Sequence, residues 1–164
     1  MEQFSILDTK FGKFGILASK KKLKRVILPN KLESIKLDIT HPNNHSLFMK
    51  KVIDQLNRYF LGEQIKFDIE YELSISFFYK EVLNEVYKIP YGKTAPYKYI
   101  SKKIDNSLAY RAVANANAAN PIPIIIPCHR VILSNGTSGD YGGGKKLKQK
   151  LIEFEKENIF KSLS

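Results

Sequence analysis

The chain has 164 residues, 43% of them apolar, enough for one ordinary domain or two small ones with packed cores. Its 27 Lys and Arg against 16 Asp and Glu leave a formal net charge of +11, which suits either a polyanionic partner, through counterion release, or a lysine-rich surface with no such purpose. One cysteine excludes an internal disulfide and a multi-thiolate zinc site; with no run near the roughly 18 apolar residues of a membrane span and no signal-peptide pattern in MEQFSILDTKFGKFG, a soluble, cytoplasmic protein is expected.

Residues 11–17 and 23–28 read as strands, separated by a polar turn at 18–22. His41 and His45 have a ligand-like spacing, but they lie in the turn-rich HPNNH segment with no thiol nearby, and no metal is expected there. Ser46 is placed to cap a helix running to about Phe60, along which Leu47, Val52, Ile53, Leu56 and Phe60 recur at roughly helical spacing. Gly62 ends it. Ile65, Phe67 and Ile69 then alternate with polar residues as a half-buried strand does, and a connection over 70–75 follows.

The texture changes beyond it. Ser76 caps a helix carrying Phe78, Val82, Leu83 and Val86, which stops at Ile89-Pro90-Tyr91-Gly92. Thr94 is expected to cap a short helix with Pro96 in its first turn, where proline is tolerated. That helix ends near Ile104, Asp105-Asn106-Ser107 makes a turn, and residues 108–119 form an alanine-rich helix. Together they outline a helix-turn-helix over about 94–119. An apolar run, 122–126, leads into Pro-Cys-His-Arg; a glycine-rich loop over 136–144 precedes a last helix from Lys145 to about Asn158. The expected organisation is a two-part α/β protein, with an α/β domain over 1–72 and a mostly helical domain over 73–164.

The chemistry centres on Cys128-His129. Thiolate is the reactive form of cysteine, and an imidazole can withdraw its proton. Neighbours in sequence often point apart, so for the dipeptide alone an inert buried thiol is the favoured reading. The approach to it, Asn120-Pro121-Ile122-Pro123-Ile124-Ile125-Ile126-Pro127, holds three prolines, which remove backbone donors and make an ordinary central strand improbable. It reads as a stiff track that delivers the thiol to a fixed place, just beyond a DNA-binding helix. That helix carries Ala109, Ala112, Ala114, Ala116, Ala118 and Ala119, with Asn115 and Asn117 its only amides. Readers of base edges in the major groove carry Arg, Asn or Gln; small residues instead permit close, sequence-tolerant approach, or simply pack in a core. Arg111 stands there as one long cation, a phosphate contact or a finger filling the gap left by an extruded base.

NPIPIIIPCHRVI, with RAVANANAAN upstream and GDYGGGKKLKQKLIEFE downstream, resembles the O6-alkylguanine-DNA alkyltransferases. The core Pro-Cys-His-Arg-Val has asparagine eight residues before the cysteine and arginine seventeen before it, and the likeness runs from about Phe78 to Glu155. It implies a ribonuclease H-like N-terminal domain and a C-terminal domain with a helix-turn-helix. It also implies irreversible, single-use transfer of an alkyl group from O6 of guanine, less readily O4 of thymine, in double-stranded DNA to Cys128. His129 would take the thiol proton through a water, and Glu155 would orient His129, the base-plus-orienter logic of nucleophilic triads. Tyr97 would protonate the departing guanine at a ring nitrogen. Arg111, with Ala112 and Asn115, would serve minor-groove binding and base flipping. Asn120 would brace the turn between helix and active-site segment, Tyr141 would close on the flipped base, and Lys148 matches a family position. The implied protein is a monomer needing no cofactor. Leu83 stands where tryptophan is frequent in the family, Gly142 where some relatives have serine, and Ala114 where glycine is common; these bear on substrate range. Two rival classes remain, a non-catalytic damage sensor and a thiol enzyme acting on small molecules.

Overall fold

The computed structural model describes residues 1–105 and 110–163 and divides into two compact units, Met1–Leu73 and Ser74–Ser164. The first is built on a three-stranded antiparallel sheet in the order β1 (Gln3–Thr9), β2 (Gly12–Ala18), β3 (Leu23–Ile27). β1 and β2 pair along their whole length, from Gln3 opposite Ala18 to Thr9 opposite Gly12. Their tight turn is closed by Thr9, whose hydroxyl donates to the Gly12 carbonyl at 2.8 Å and accepts from the Phe11 N–H at 3.0 Å. A short helical turn, α1 (Pro29–Leu32), follows.

Helix α2 (Leu47–Phe60) starts as expected, with the Ser46 hydroxyl accepting from the Met49 N–H at 3.0 Å. Its Met49, Val52, Leu56, Tyr59 and Phe60 are buried, and the Phe60 ring lies 4.8 Å from that of Phe14 on β2.

Two expectations for this unit need correction. β1 was not foreseen, because Gln3 and Ser5 make it look half polar. Both are buried, since β1 is covered by the 40–46 segment: Gln3 donates to the Asn44 carbonyl at 2.6 Å and accepts from the Ser46 N–H at 2.9 Å. Conversely, residues 65–69 form no strand. The side chains alternate as a strand's would, with Ile69 buried. In place of a ladder, however, Gln55 of α2 accepts from the Asp68 N–H at 2.9 Å and donates to the Asp68 carbonyl at 3.3 Å. The single bridge to the sheet comes later, at Leu23 and Tyr71.

The second unit begins with α3 (Phe77–Tyr87), capped by the Ser76 hydroxyl at 3.2 Å from the Tyr79 N–H. Thr94 does not cap the next helix. Ala95–Pro96 forms a two-residue strand, β4, parallel to β5 (Val131–Ile132), and helix α4 (Tyr97–Lys103) starts directly after it with Pro96 in the capping position. That pairing joins residues 36 apart in the chain, Ala95 with Val131 and Pro96 with Ile132, which no local pattern encodes. α4 closes on Asp105, held at φ 57°. Helix α5 (Tyr110–Ala118) packs against α3 and α4; the expected turn at Asn106 and Ser107, and the helix start at Leu108 and Ala109, lie outside the described residues.

The proline-rich run is no strand either. Ile122 to Ile126 are buried in a compact loop in which Ile124 takes φ 75°, a conformation costing a β-branched residue about 1–3 kcal/mol unless its surroundings enforce it. Cys128–Arg130 form a 3-10 turn, and helix α6 (Lys145–Ser162) completes the unit, running a turn beyond the expected end. Among the described residues no helix is long and apolar enough to cross a membrane.

Candidate active site

The 3-10 turn carries Cys128, His129 and Arg130, all buried. It is pinned from both sides. The Cys128 N–H donates to the Ile126 carbonyl at 2.8 Å, and the Arg130 N–H to the Pro127 carbonyl at 2.9 Å. Asn120 holds the approach: its amide donates to the Ile126 carbonyl at 2.8 Å while its oxygen accepts from the Ile122 N–H at 3.1 Å. Asn117 of α5 donates to the Cys128 carbonyl at 3.1 Å. It is 3% exposed, so it faces the thiol segment and is not one of the helix's outward amides. Asn115 is exposed, Arg111 is exposed, and Ala112 is half-buried.

His129 meets Glu155 of α6. Its Nε2 lies 2.6 Å from Oε2 of Glu155, with both side chains sealed from solvent. Glu155 is gripped equally by Arg130, whose Nε donates to Oε1 at 2.7 Å and Nη2 to Oε2 at 3.1 Å. Nη1 of the same guanidinium donates to the Ile89 carbonyl at 2.8 Å, and the group stands 5.5 Å from the centre of the Tyr91 ring. Burial pushes the Glu155 carboxyl up, but His129 and Arg130 together outweigh it and hold the group well below the usual carboxylate range. Burial pushes the His129 imidazole down; Glu155 opposes this, while Arg130 and Lys148 add to it. A neutral imidazole facing an ionised, acceptor-only carboxylate carries its proton on Nε2. The Nδ1 lone pair is then free, and Nδ1 is buried with no hydrogen-bond partner.

Burial also pushes the Cys128 thiol up, against the pull of the Asn120 amide, the Lys148 charge and the Tyr141 hydroxyl. The resting group is therefore a thiol, and nucleophilic chemistry there needs a base. No direct hydrogen bond joins it to His129, whose Nε2 is taken by Glu155 and whose Nδ1 has no partner. Tyr141 places its buried hydroxyl beside Cys128, without a well-aligned hydrogen-bond partner. Tyr97, 4% exposed at the start of α4, has its hydroxyl pushed up by burial, partly offset by the Asn117 amide. Lys148 is fully buried. Its Nζ donates to the Asp140 carbonyl at 3.2 Å and lies 5.6 Å from the centre of the Tyr97 ring, and burial brings its pKa down to about 8.

The structure thus brings Cys128, His129, Glu155, Tyr97, Tyr141, Asn120 and Lys148 into one site, leaves Arg111 and Asn115 on the exposed face of α5, and adds two residues that sequence reasoning missed. Arg130 was visible only as part of a motif, and its signal was adjacency to the base. Asn117 was visible only as one of the helix's two amides, with no signal for which way it faces. Among the described residues no group of three or more His, Cys, Asp and Glu is arranged to hold a metal.

A buried thiol, a base with a free lone pair, and a clamped carboxylate, next to a helix pair of helix-turn-helix form, define a nucleophilic cysteine unit on a nucleic-acid-binding scaffold. Residues 77–157 match the family model for the 6-O-methylguanine DNA methyltransferase DNA-binding domain, and residues 4–73 that for its ribonuclease-like domain. The methylated-DNA–protein-cysteine methyltransferase of Methanosarcina barkeri is 35% identical over 95% of this chain and 98% of its own. That of Mycobacterium bovis is 47% identical over 63% of each. The crystal structure of Mycobacterium tuberculosis O6-methylguanine methyltransferase superposes with a TM-score of 0.80, at 33% identity, covering 96% of this chain and 94% of that one. A Mycobacterium tuberculosis OGT in complex with DNA gives 0.81 at 34% identity, over 95% and 94%. The chain belongs to the O6-methylguanine-DNA methyltransferase family, with that family's α/β architecture.

Proposed function

We propose that this protein repairs alkylated DNA by moving the alkyl group from O6 of guanine, and less readily from O4 of thymine, onto Cys128. The observation that carries the reading is the sealed 2.6 Å contact between His129 and Glu155, which leaves Nδ1 of His129 as a free base in the same 3-10 turn as a thiol that burial keeps protonated. His129 takes the thiol proton through a water. The thiolate attacks the alkyl carbon, the S–C bond forms as the C–O6 bond breaks, and the electron pair passes into the purine ring. Tyr97 supplies a proton to a ring nitrogen and is reprotonated from solvent, while the imidazolium beside Glu155 returns its proton there. Net, a thiol and an alkylguanine become a thioether and guanine. No step restores the thiol, so each molecule acts once.

An O6 atom inside a duplex is out of reach of a sulfur held in a buried turn, so the nucleotide must leave the stack. Arg111, exposed on α5, fills the gap, Ala112 and Asn115 lie along the minor groove, and Tyr141 closes on the extruded base. Asn120 keeps the turn behind it stiff. A helix of small side chains grips duplex DNA without reading sequence, and the +11 charge adds salt-dependent affinity. The protein acts as a monomer.

The test is duplex DNA carrying radiolabelled O6-methylguanine, followed by digestion and mapping. Label is expected on Cys128 alone, at one equivalent per protein, and none on Cys128→Ala. Label elsewhere, or repeated turnover, contradicts the mechanism.

A further inference from the structure

We propose that Arg130 is a positioning residue that sets the proton count of the His129–Glu155 pair, keeping it one proton short so that Nδ1 of His129 is a free base at rest. This rests on the reading of Cys128 and His129 given above.

A carboxylate and an imidazole sealed together can hold charge in two ways. The imidazole can be an imidazolium, neutralising the carboxylate by itself; both ring nitrogens then carry protons, and nothing is left to accept one from Cys128. Alternatively a third group neutralises the carboxylate and the imidazole stays neutral. Arg130 is that third group. Its guanidinium occupies both oxygens of Glu155, at 2.7 and 3.1 Å, in the bidentate geometry suited to neutralising a carboxylate. Nor can it drift away, because Nη1 is held by the Ile89 carbonyl at 2.8 Å and the Tyr91 ring stands 5.5 Å off. The Gly92 N–H adds a weaker donor to Oε1 at 3.4 Å.

The charged and titratable groups around the pair push the same way. From α6, Lys148 acts on His129 alongside Glu155; from its own turn, Arg130 does. Tyr91, before α4, and Tyr141, in the glycine-rich loop, feel Glu155 but stay neutral, their hydroxyls pushed up by burial. Cys128 is neutral before reaction. A positive charge on His129 therefore faces the Arg130 and Lys148 charges from a ring sealed from bulk solvent. During reaction the thiol proton goes to Nδ1, and the guanidinium–carboxylate pair is already in place to receive the imidazolium that forms.

Removing the guanidinium while keeping the fold inverts this. The carboxylate then draws the missing charge from the imidazole, and His129 gains a proton in the range where the native enzyme has none. The sign is fixed: a group made easier to protonate loses base function as pH falls, beginning at a higher pH than before.

The experiment compares the full-length protein with Arg130→Met and Arg130→Lys, each checked for a cooperative thermal transition. The readout is the single-turnover rate of transfer from O6-benzylguanine to Cys128 as a function of pH. The native rate is expected to hold as pH falls below the ordinary imidazole value of about 6.5, since burial already depresses its imidazole from that value. The Arg130→Met rate should fall about tenfold per pH unit below a midpoint at or above about 6.5, and Arg130→Lys should return part of the native profile. An Arg130→Met profile parallel to the native one, merely lower, overturns the proposal, because a purely structural role moves the amplitude and not the midpoint. If Arg130→Met does not fold, ring-nitrogen NMR of the native protein decides. A neutral, Nε2-protonated His129 at pH 6 is expected, and a doubly protonated ring at pH 7 overturns the proposal. Native protein that acquires no label on Cys128 fails separately, since it removes the reaction itself.

Discussion

The two units bury polar side chains in opposite ways. In the first, the buried polar residues are Gln3, Ser5 and Gln55, all neutral; the two glutamines are tied to backbone groups. In the second they include His129, Arg130, Lys148 and Glu155. A neutral amide that replaces missing ladder bonds, as Gln55 does for residue 68, is a structural economy. Four ionisable groups in one small core are not, because each loses hydration that its partners only partly restore. The first unit buries only neutral polar side chains, whereas the second buries ionisable ones around the Cys128 turn.

That contrast sets the largest expected effect. Glu155→Leu leaves the Arg130 guanidinium buried without its partner and is expected to cost about 3–5 kcal/mol in chemical denaturation. The double variant Arg130→Met, Glu155→Leu should recover most of that stability without recovering transfer. Gln55→Ala, which leaves neutral backbone groups unpaired, should cost only about 1–3 kcal/mol and leave transfer intact. Equal costs for the two single variants would erase the distinction between the units.

A smaller effect separates DNA handling from chemistry within the second unit. Arg111→Ala is expected to slow repair of duplex DNA by about tenfold or more, through loss of the group proposed to hold the stack open, yet to change transfer from free O6-benzylguanine by less than about twofold. Equal losses on both substrates would remove the finger role.

The smallest effect is in the pH dependence of stability. The folded-state pKa of His129 is depressed, so below the ordinary imidazole value the unfolded chain takes up a proton that the folded chain refuses. Stability is therefore expected to fall as pH drops from about 6.5, with a slope near 1.4 kcal/mol per pH unit. Denaturation midpoints at several pH values measure it, and His129→Asn should abolish the slope. Glu155, depressed in the folded state, contributes with the same sign only at more acid pH, through and below the ordinary carboxylate range.

Much of this was legible locally. The caps at Ser46 and Ser76, the turn between β2 and β3, the proline-stiffened approach and the lone thiol all follow from short patterns whose physics lies within one segment. What failed was what depends on a distant partner. β1 looked half polar until the 40–46 segment covered it. The strand expected at 65–69 lost its ladder to a glutamine from α2. Thr94 lost its helix to a pairing with Val131, and Asn117, which a helical pattern cannot point inward or outward by itself, turned to the thiol segment.

The sequence by itself determined that one cysteine, flanked by a histidine and delivered by prolines, follows an alanine-rich helix, and the resemblance of that stretch supplied the family and the partner roles. Only the tertiary structure decided that His129, Arg130 and Glu155 meet, although 25 residues separate the last two. The reason is geometric. Which face a helix such as α6 presents, and which turn it meets, is set by packing between segments, and a hydrogen-bonded triad exists only where that packing closes to within a hydrogen bond.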